Sequence, residues 1–261
     1  MAGGAADRDS SVARLARLLD SFDGEYHRLT LTEIAARSGL AASTAHRMLG
    51  QLVKAGLLAK DGDARYTIGR HLWELGETSP ISLELRETAL PWLLTVYEVT
   101  AENVHFAILD GIEALYVARL VGPHSVPTMS RMGGRLPLHT TGVGKALLAW
   151  QSEEFLERYF ARPLERPTKF SVTSEARLRT QLRDIRNRGY SVTHQEQSLG
   201  NTSLAVPVPW PDDVPIASVG LVTHTVRADI ARLVPVLQKA AVGIATDLAS
   251  LLEREGVTRF H

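Results

Sequence analysis

The feature that most narrows the fold is a run of helix punctuation between Thr30 and Gly56. Thr30-Leu31-Thr32-Glu33 has the form of a capping box, in which the Thr and the Glu three residues later each satisfy a backbone N–H at a helix start. It predicts a helix from about Leu31 to Ser38, which Gly39 ends because glycine takes the left-handed turn that follows. A second helix is expected from about Ala42 to Ala55, with Ala45, Met48, Leu49 and Leu52 as its buried stripe and Gly56 as its C-terminal stop. Ala35, Gly39 and Ala45 then fall where two helices crossing at a tight turn need small residues, and Ile34, Leu40 and Met48 fill the space between them. Upstream, Ser10 or Ser11 caps a helix whose apolar positions Val12, Leu15, Leu18, Leu19 and Phe22 share a face and which ends near Asp23-Gly24. Downstream, Leu57 to Lys60, the turn formers Asp61-Gly62-Asp63, and Arg65 to Ile68 read as a short β-hairpin. Three helices and a hairpin in this order make a winged helix-turn-helix, assigned to residues 10–72.

Such a unit lays the N-terminal half of its third helix in the major groove of DNA. Ser43, Thr44, His46 and Arg47 face outward there, and Arg47 is the strongest candidate for a base or phosphate because a guanidinium pairs two acceptors at once. Thr32, Arg37 and the wing residue Arg65 complete the expected DNA-binding set. A formal net charge of +0 argues against a nucleic-acid partner, since phosphate contacts supply most non-specific affinity. The average conceals an asymmetry: between Tyr26 and Lys60 the basic residues are Arg28, Arg37, Arg47, Lys54 and Lys60, against Glu33 alone. A three-helix packing unit with no nucleic-acid role would show the same apolar stripe. The local basic excess and the wing favour the DNA-reading account.

A chain of 261 residues has room for a second domain. Gly76 to Pro80 marks the boundary, residues 73–100 are a linker with a linking helix from about Leu83 to Thr100, and residues 101–255 are the second domain. There, Asn103 to Leu109 and Ile112 to Leu120 are strands joined by the hairpin signal Asp110-Gly111. After a loop carrying Pro123, Pro127 and Gly133-Gly134, helices are expected at Thr141–Trp150, Ser152–Phe160 and Glu175–Arg188. Strands follow at Tyr190–Gln195, Leu204–Val208 and Ile216–Thr223, the last two mostly apolar and so interior to the sheet. A final helix covers about Ile230 to Leu252. Hairpin-connected strands with helices laid against them give an α+β class. No apolar run reaches the length of about 18 residues that a membrane helix needs, and Met1 to Asp9 shows no export signal, so a cytoplasmic protein without a membrane partner is expected.

The absence of Cys removes disulfides, thiolate nucleophiles and Cys-ligated zinc. Gly142-Val143-Gly144-Lys145 invites a phosphate-loop reading, but His139 stands where that loop needs its first glycine and Ala146 where it needs Ser or Thr. What survives is an anion site: Thr140 or Thr141 caps a helix whose first N–H groups, at Gly142, Val143 and Gly144, point outward with the positive end of the helix dipole. An ordinary capped helix with closely packed glycines accounts for the same residues. Histidines 105, 124, 139, 194 and 224 show no i, i+4 pair; buried, hydrogen-bonded imidazoles are the simpler account, with zinc on His139, His194 and a carboxylate as the alternative. No metal and no cofactor is expected, and Trp73 and Trp92 read as packing anchors. Neither a G-x-S-x-G elbow, a metalloprotease motif nor a dinucleotide fingerprint is present, so the chain is not read as an enzyme. An enzyme with an accessory DNA-binding domain, or a ligand-free assembly domain, is the alternative.

Four blocks carry a family resemblance. The string LTLTEIAARSGLAASTAHRMLGQLVKAGLL followed by RYTIGRHLWELG resembles the N-terminal domain and linker of IclR-type transcriptional regulators. GGRLPLHTTGVGKALLAW and RNRGYSVTHQEQSLGNTSLAVPV resemble the two signature regions of their effector domain. The resemblance implies a GAF-like α/β effector-binding domain and a homodimer or homotetramer acting as repressor or activator at a palindromic double-stranded operator. It also implies a small organic or aromatic acid as effector, and the effector-binding set expected from it is Met129, Thr141, Gly142, Val143, His194, Asn201, Ser203, Gly220 and Val222. Where the family often has acidic residues and an Arg-Cys pair, this chain has Thr193-His194-Gln195-Glu196 and Gly200-Asn201-Thr202-Ser203. Gly220 and Val222 replace serines found in some relatives, which is expected to remove two hydroxyls and leave more room. An effector larger or more apolar than glyoxylate or pyruvate, an aromatic acid, follows.

Overall fold

A computed structural model describes residues 10–123, 126–210 and 214–255. Two compact units divide at Ser79/Pro80. In the first, α1 (Ser11–Leu19) is capped by Ser10, whose hydroxyl accepts from Ala13 N at 3.1 Å. Helix α2 (Leu31–Ser38) carries both halves of its capping box, Glu33 N to Thr30 Oγ1 at 3.3 Å and Thr30 N to the Glu33 carboxylate at 2.7 Å. Gly39 ends it at φ 66°, the left-handed region that favours glycine. Helix α3 (Ala42–Lys54) follows, then an antiparallel hairpin of β1 (Leu58–Lys60) and β2 (Tyr66–Ile68). Leu29 exchanges both backbone hydrogen bonds with Tyr66, so the segment before α2 is tied to the wing. Leu18, Leu29, Ile34, Leu49, Leu58 and Tyr66 form the core. Val12, expected on the buried face of α1, is 74% exposed, whereas further along the helix Leu15 is half-buried and Leu18 buried. Helix α4 (Arg70–Glu77), which the sequence pattern does not signal, has no side-chain cap and no buried residue.

The second unit opens with a π-helical segment (Ile81–Arg86) leading into α5 (Glu87–Thr100). Its six-stranded antiparallel sheet comprises β3 (Asn103–Asp110), β4 (Glu113–Leu120), β5 (Arg135–Pro137), β6 (Ser191–His194), β7 (Asn201–Pro207) and β8 (Ala217–His224). Their order is β5-β4-β3-β8-β7-β6, which puts β7 and β8 in the interior as their apolar runs require. Helices α6 (Gly142–Leu148), α7 (Glu153–Phe160) and α8 (Glu175–Arg188) cover one face, and α5 and α9 (Ile230–Glu255) the other. Strand alternation divides the core accordingly: Phe106, Leu204 and Val219 pack with Leu93, Leu237 and Ile244, while Ala107, Tyr116 and Ala205 pack with Val143, Leu147 and Leu182. Helix α5 is part of this core through Ala89, Leu93 and Val96, and is no free-standing linker. A Cβ on Gly243 would lie 2.4 Å from the Trp92 ring, and Trp92 Nε1 donates to Asp247 at 2.7 Å, so Trp92 locks α5 to α9. This is the expected α+β arrangement.

Candidate DNA interface and ligand pocket

Helix α3 is two-sided. Ala45, Met48, Leu49 and Leu52 are buried, whereas Ser43, His46 and Arg47 are exposed and Thr44 is half-buried. Among the described residues Arg47 makes no hydrogen bond or ion pair. The helix begins at Ala41 with no side-chain cap, unlike α1, α2, α6, α7 and α8, so its first N–H groups lack the side-chain acceptor those helices have.

Two arginines of the expected interface are occupied. Arg37 donates to Ser21 O and to the Asp23 carboxylate, both at 2.8 Å, and lies 4.1 Å over the Tyr26 ring. It ties α2 to the preceding loop. Arg65 leans back on Arg28 O at 3.4 Å and Glu33 at 3.5 Å. At the tip of the wing Arg28 pairs with Asp61 at 2.6 Å and Asp63 at 2.9 Å. The N–H of Arg65 above all, and then the Arg28 guanidinium, hold the Asp61 carboxyl below its ordinary range. Thr32 is exposed on the first turn of α2.

In the second unit a pocket lies over the sheet beside the start of α6. His105 on β3, Tyr116 on β4 and Val222 on β8 contribute to its wall, as do Asn201 and Ser203 on β7 and Thr193 on β6. The loop before β5 supplies Thr128, Met129 and Ser130; Leu136, Thr140 and Thr141 add to it, and Glu196, Gln197 and Ser198 close the β6 side. No Lys or Arg lines it among the described residues. The Glu196 carboxylate faces the Lys145 ammonium, 2.7 and 2.8 Å away, and Lys145 also donates to Gln181 Oε1 at 2.7 Å. Burial pulls the Lys145 ammonium below its ordinary range, and Glu196 opposes that pull. His105 Nε2 meets Ser130 Oγ at 2.9 Å, and Tyr116 stands edge-on to the imidazole. Burial lowers the His105 pKa to about 3, assisted by the nearby Arg119 charge, so the ring is neutral.

Of the residues expected to bind an effector, Met129, Thr141, Asn201, Ser203 and Val222 line this pocket. His194 does not: it is exposed, bonds Thr202 Oγ1 at 3.2 Å, and lies on the side of β6 opposite to Thr193, its neighbour, which does. Gly142, Val143 and Gly220 sit behind the wall. A Cβ on Gly142 would come 2.4 Å from Ser203 Oγ, and one on Gly220 2.6 Å from Leu204 O and 3.0 Å from Val143. Gly220 therefore leaves no extra room, because Leu204 and Ala205 of β7 and Val143 of α6 fill the space beside it. Of the three helix N–H groups expected to meet an anion, that of Gly144 is taken by Thr141 Oγ1 at 3.2 Å. Sequence reasoning missed His105, Tyr116, Thr193 and Glu196. A lone polar His within the apolar run of β3 was the available signal. The zinc alternative fails on geometry, since His139 bonds Tyr159 OH and Glu165 O through its two ring nitrogens, both at 2.8 Å. No group of three or more potential metal-ligating residues occurs among the described residues. His124 and the segment Met1 to Asp9 lie outside those residues. Among them no helix is long and apolar enough to cross a membrane.

Comparison with known proteins places similarity over both units. Residues 11–62 match the family model described as the IclR helix-turn-helix domain, and residues 79–246 that described as bacterial transcriptional regulator IclR C-terminal. Over 228 residues the chain is 33% identical to the HTH-type transcriptional regulator XynR of Escherichia coli, covering 85% of this chain and 89% of that protein. It is 29% identical over 244 residues to the Pca operon regulatory protein of Acinetobacter baylyi, covering 89% and 86%. The crystal structure of an IclR homolog complexed with 4-hydroxybenzoate from Microbacterium hydrocarbonoxydans superposes with a TM-score of 0.87 at 33% identity, over 92% of this chain and 100% of that one.

Proposed function

Because the chain belongs to the IclR family of transcriptional regulators, DNA-binding proteins rather than enzymes, we propose that an aromatic acid seated in the pocket of its second unit modulates its hold on an operator. The observation that carries this reading is the composition of the pocket wall. Tyr116, Met129, Leu136 and Val222 give the wall apolar surface, and Thr128, Ser130, Thr193, Gln197 and Asn201 add hydroxyls and amides to it. A two- or three-carbon acid would leave much of the apolar wall wet. The similar homolog from Microbacterium hydrocarbonoxydans was crystallised with such an acid, 4-hydroxybenzoate.

On the DNA side, Ser43, Thr44, His46 and Arg47 read base edges or phosphates from α3, with Thr32 on the neighbouring backbone. Arg37 and Arg65 act chiefly by holding α2 and the wing in place. A homodimer, or a pair of dimers, presents two such helices to a palindrome; exposed Trp73 and Leu75 on α4, and Leu90 and Leu94 on α5, offer apolar surface for a second copy. The protein acts in the cytoplasm, where its operator lies.

Thermal denaturation of the full chain with a panel of acids, paired with mobility shifts on a duplex from its own upstream region, tests the proposal. Aromatic acids are expected to raise the unfolding temperature and to change duplex affinity. Stabilisation by glyoxylate or pyruvate alone would overturn it.

A further inference from the structure

The pocket has two chemically different ends. Its floor crosses the sheet from β3 through β8 and β7 to β6, three interstrand steps of about 4.8 Å each, or about 14 Å in all. At the β3 end His105, Ser130 and Thr128 form a hydrogen-bonded chain, Ser130 Oγ lying 3.0 Å from Thr128 Oγ1. Arg119, on the neighbouring strand, donates to Ser130 O at 2.8 Å, and its Nε is buried without a partner. That end offers hydroxyls beside a positive charge. At the β6 end stands Glu196, the one charged side chain among the described residues that line the pocket.

The arrangement around Glu196 fixes what it can recognise. A carboxylate has about four lone-pair sites. Lys145 approaches both oxygens and Val172 N donates to Oε2 at 3.3 Å, which leaves one site open. The ammonium has three N–H donors, and contacts with Gln181 and the two oxygens of Glu196 commit them, so Lys145 has none to lend to a ligand. A ligand carboxylate placed here would meet a like charge with no free cation to bridge the two. A hydroxyl or amine donor would instead complete the shell.

The geometry points to Glu196 as a specificity-determining residue that selects acids carrying a hydrogen-bond donor at the end remote from their own carboxylate, that carboxylate lying at the Ser130 and Arg119 end. The inference rests on the reading of the pocket as an aromatic-acid site and deepens it.

Calorimetric titration of the full chain with benzoate, 4-hydroxybenzoate and 4-methoxybenzoate tests it, because the methoxy group occupies the same position without a donor. The wild type is expected to bind the hydroxy acid at least tenfold more tightly than either of the others. In the double variant Lys145→Met/Glu196→Gln, which removes both charges together and strands neither, the ratios are expected to fall within threefold. Glu196→Asp, which keeps the charge but withdraws it by one methylene, is a second variant expected to lose the preference. Equal binding of the three acids by the wild type, or a preference unchanged in a folded variant, would overturn the assignment of Glu196 while leaving the pocket an aromatic-acid site. Binding of none of the three overturns the aromatic-acid reading and the inference with it.

Discussion

His105 and Lys145 show how single polar side chains in this core are tied to their surroundings. His105 is 2% exposed, with its imidazole pKa pulled down to about 3 against an ordinary 6.5. Between these values the unfolded chain takes up a proton that the folded one refuses. Stability contributed by the neutral ring is therefore complete above pH 6.5 and declines as the pH falls toward 3, by up to about 1.4 kcal/mol per unit. His139 is lowered as well, chiefly by burial, and adds a slope of the same sign. Urea unfolding at pH 7, 6 and 5 is expected to show a shallower acid loss for His105→Gln than for the wild type; parallel profiles would mean that the folded protein accommodates the charged ring. Lys145 and Glu196 have side chains only 1% and 6% exposed. Lys145→Met strands a buried carboxylate and is expected to cost about 3–5 kcal/mol in urea unfolding, most of it regained in the double variant with Glu196→Gln.

At the scale of elements, the first unit was legible because its signals are local. The capping box at Thr30 and Glu33, the positive φ at Gly39 and the apolar stripe of α3 each act within a few residues. Helix α4 escaped notice because it has neither a side-chain cap nor a buried stripe, and β5 because three residues ending in Pro137 carry little strand signal. The pocket was half legible. Its β6 residue was misplaced by one position, His194 for Thr193, and a one-residue shift on a strand reverses the face. Gly220 was read as vacant space although the packing of Val143 against it depends on tertiary contacts that no local pattern reveals. The bare start of α3 makes a prediction at this scale. Ala41→Asp supplies a missing N-cap and is expected to stabilise the free protein by about 0.5–1 kcal/mol in thermal or urea unfolding. It also sets a negative charge where a phosphate would approach, so duplex affinity is expected to fall in the same variant.

For the whole molecule, charge is balanced overall and concentrated locally, as the basic excess between Tyr26 and Lys60 shows. Affinity for DNA must then come from a small surface, and its dependence on salt reports how many phosphates that surface meets. The proposed DNA interface is the outward edge of α3, where Arg47 projects with no protein partner among the described residues. Fluorescence anisotropy of a labelled duplex from the chain's own upstream region, titrated with wild type and Arg47→Ala across a salt series, tests that edge most directly. Log affinity is expected to fall linearly with log salt for the wild type. Arg47→Ala is expected to lose about 1–3 kcal/mol of binding while unfolding at an unchanged temperature, with the salt slope lowered by about 1 if the contact is to a phosphate. An Arg47→Ala variant that binds the duplex as the wild type does, at every salt concentration, would contradict it.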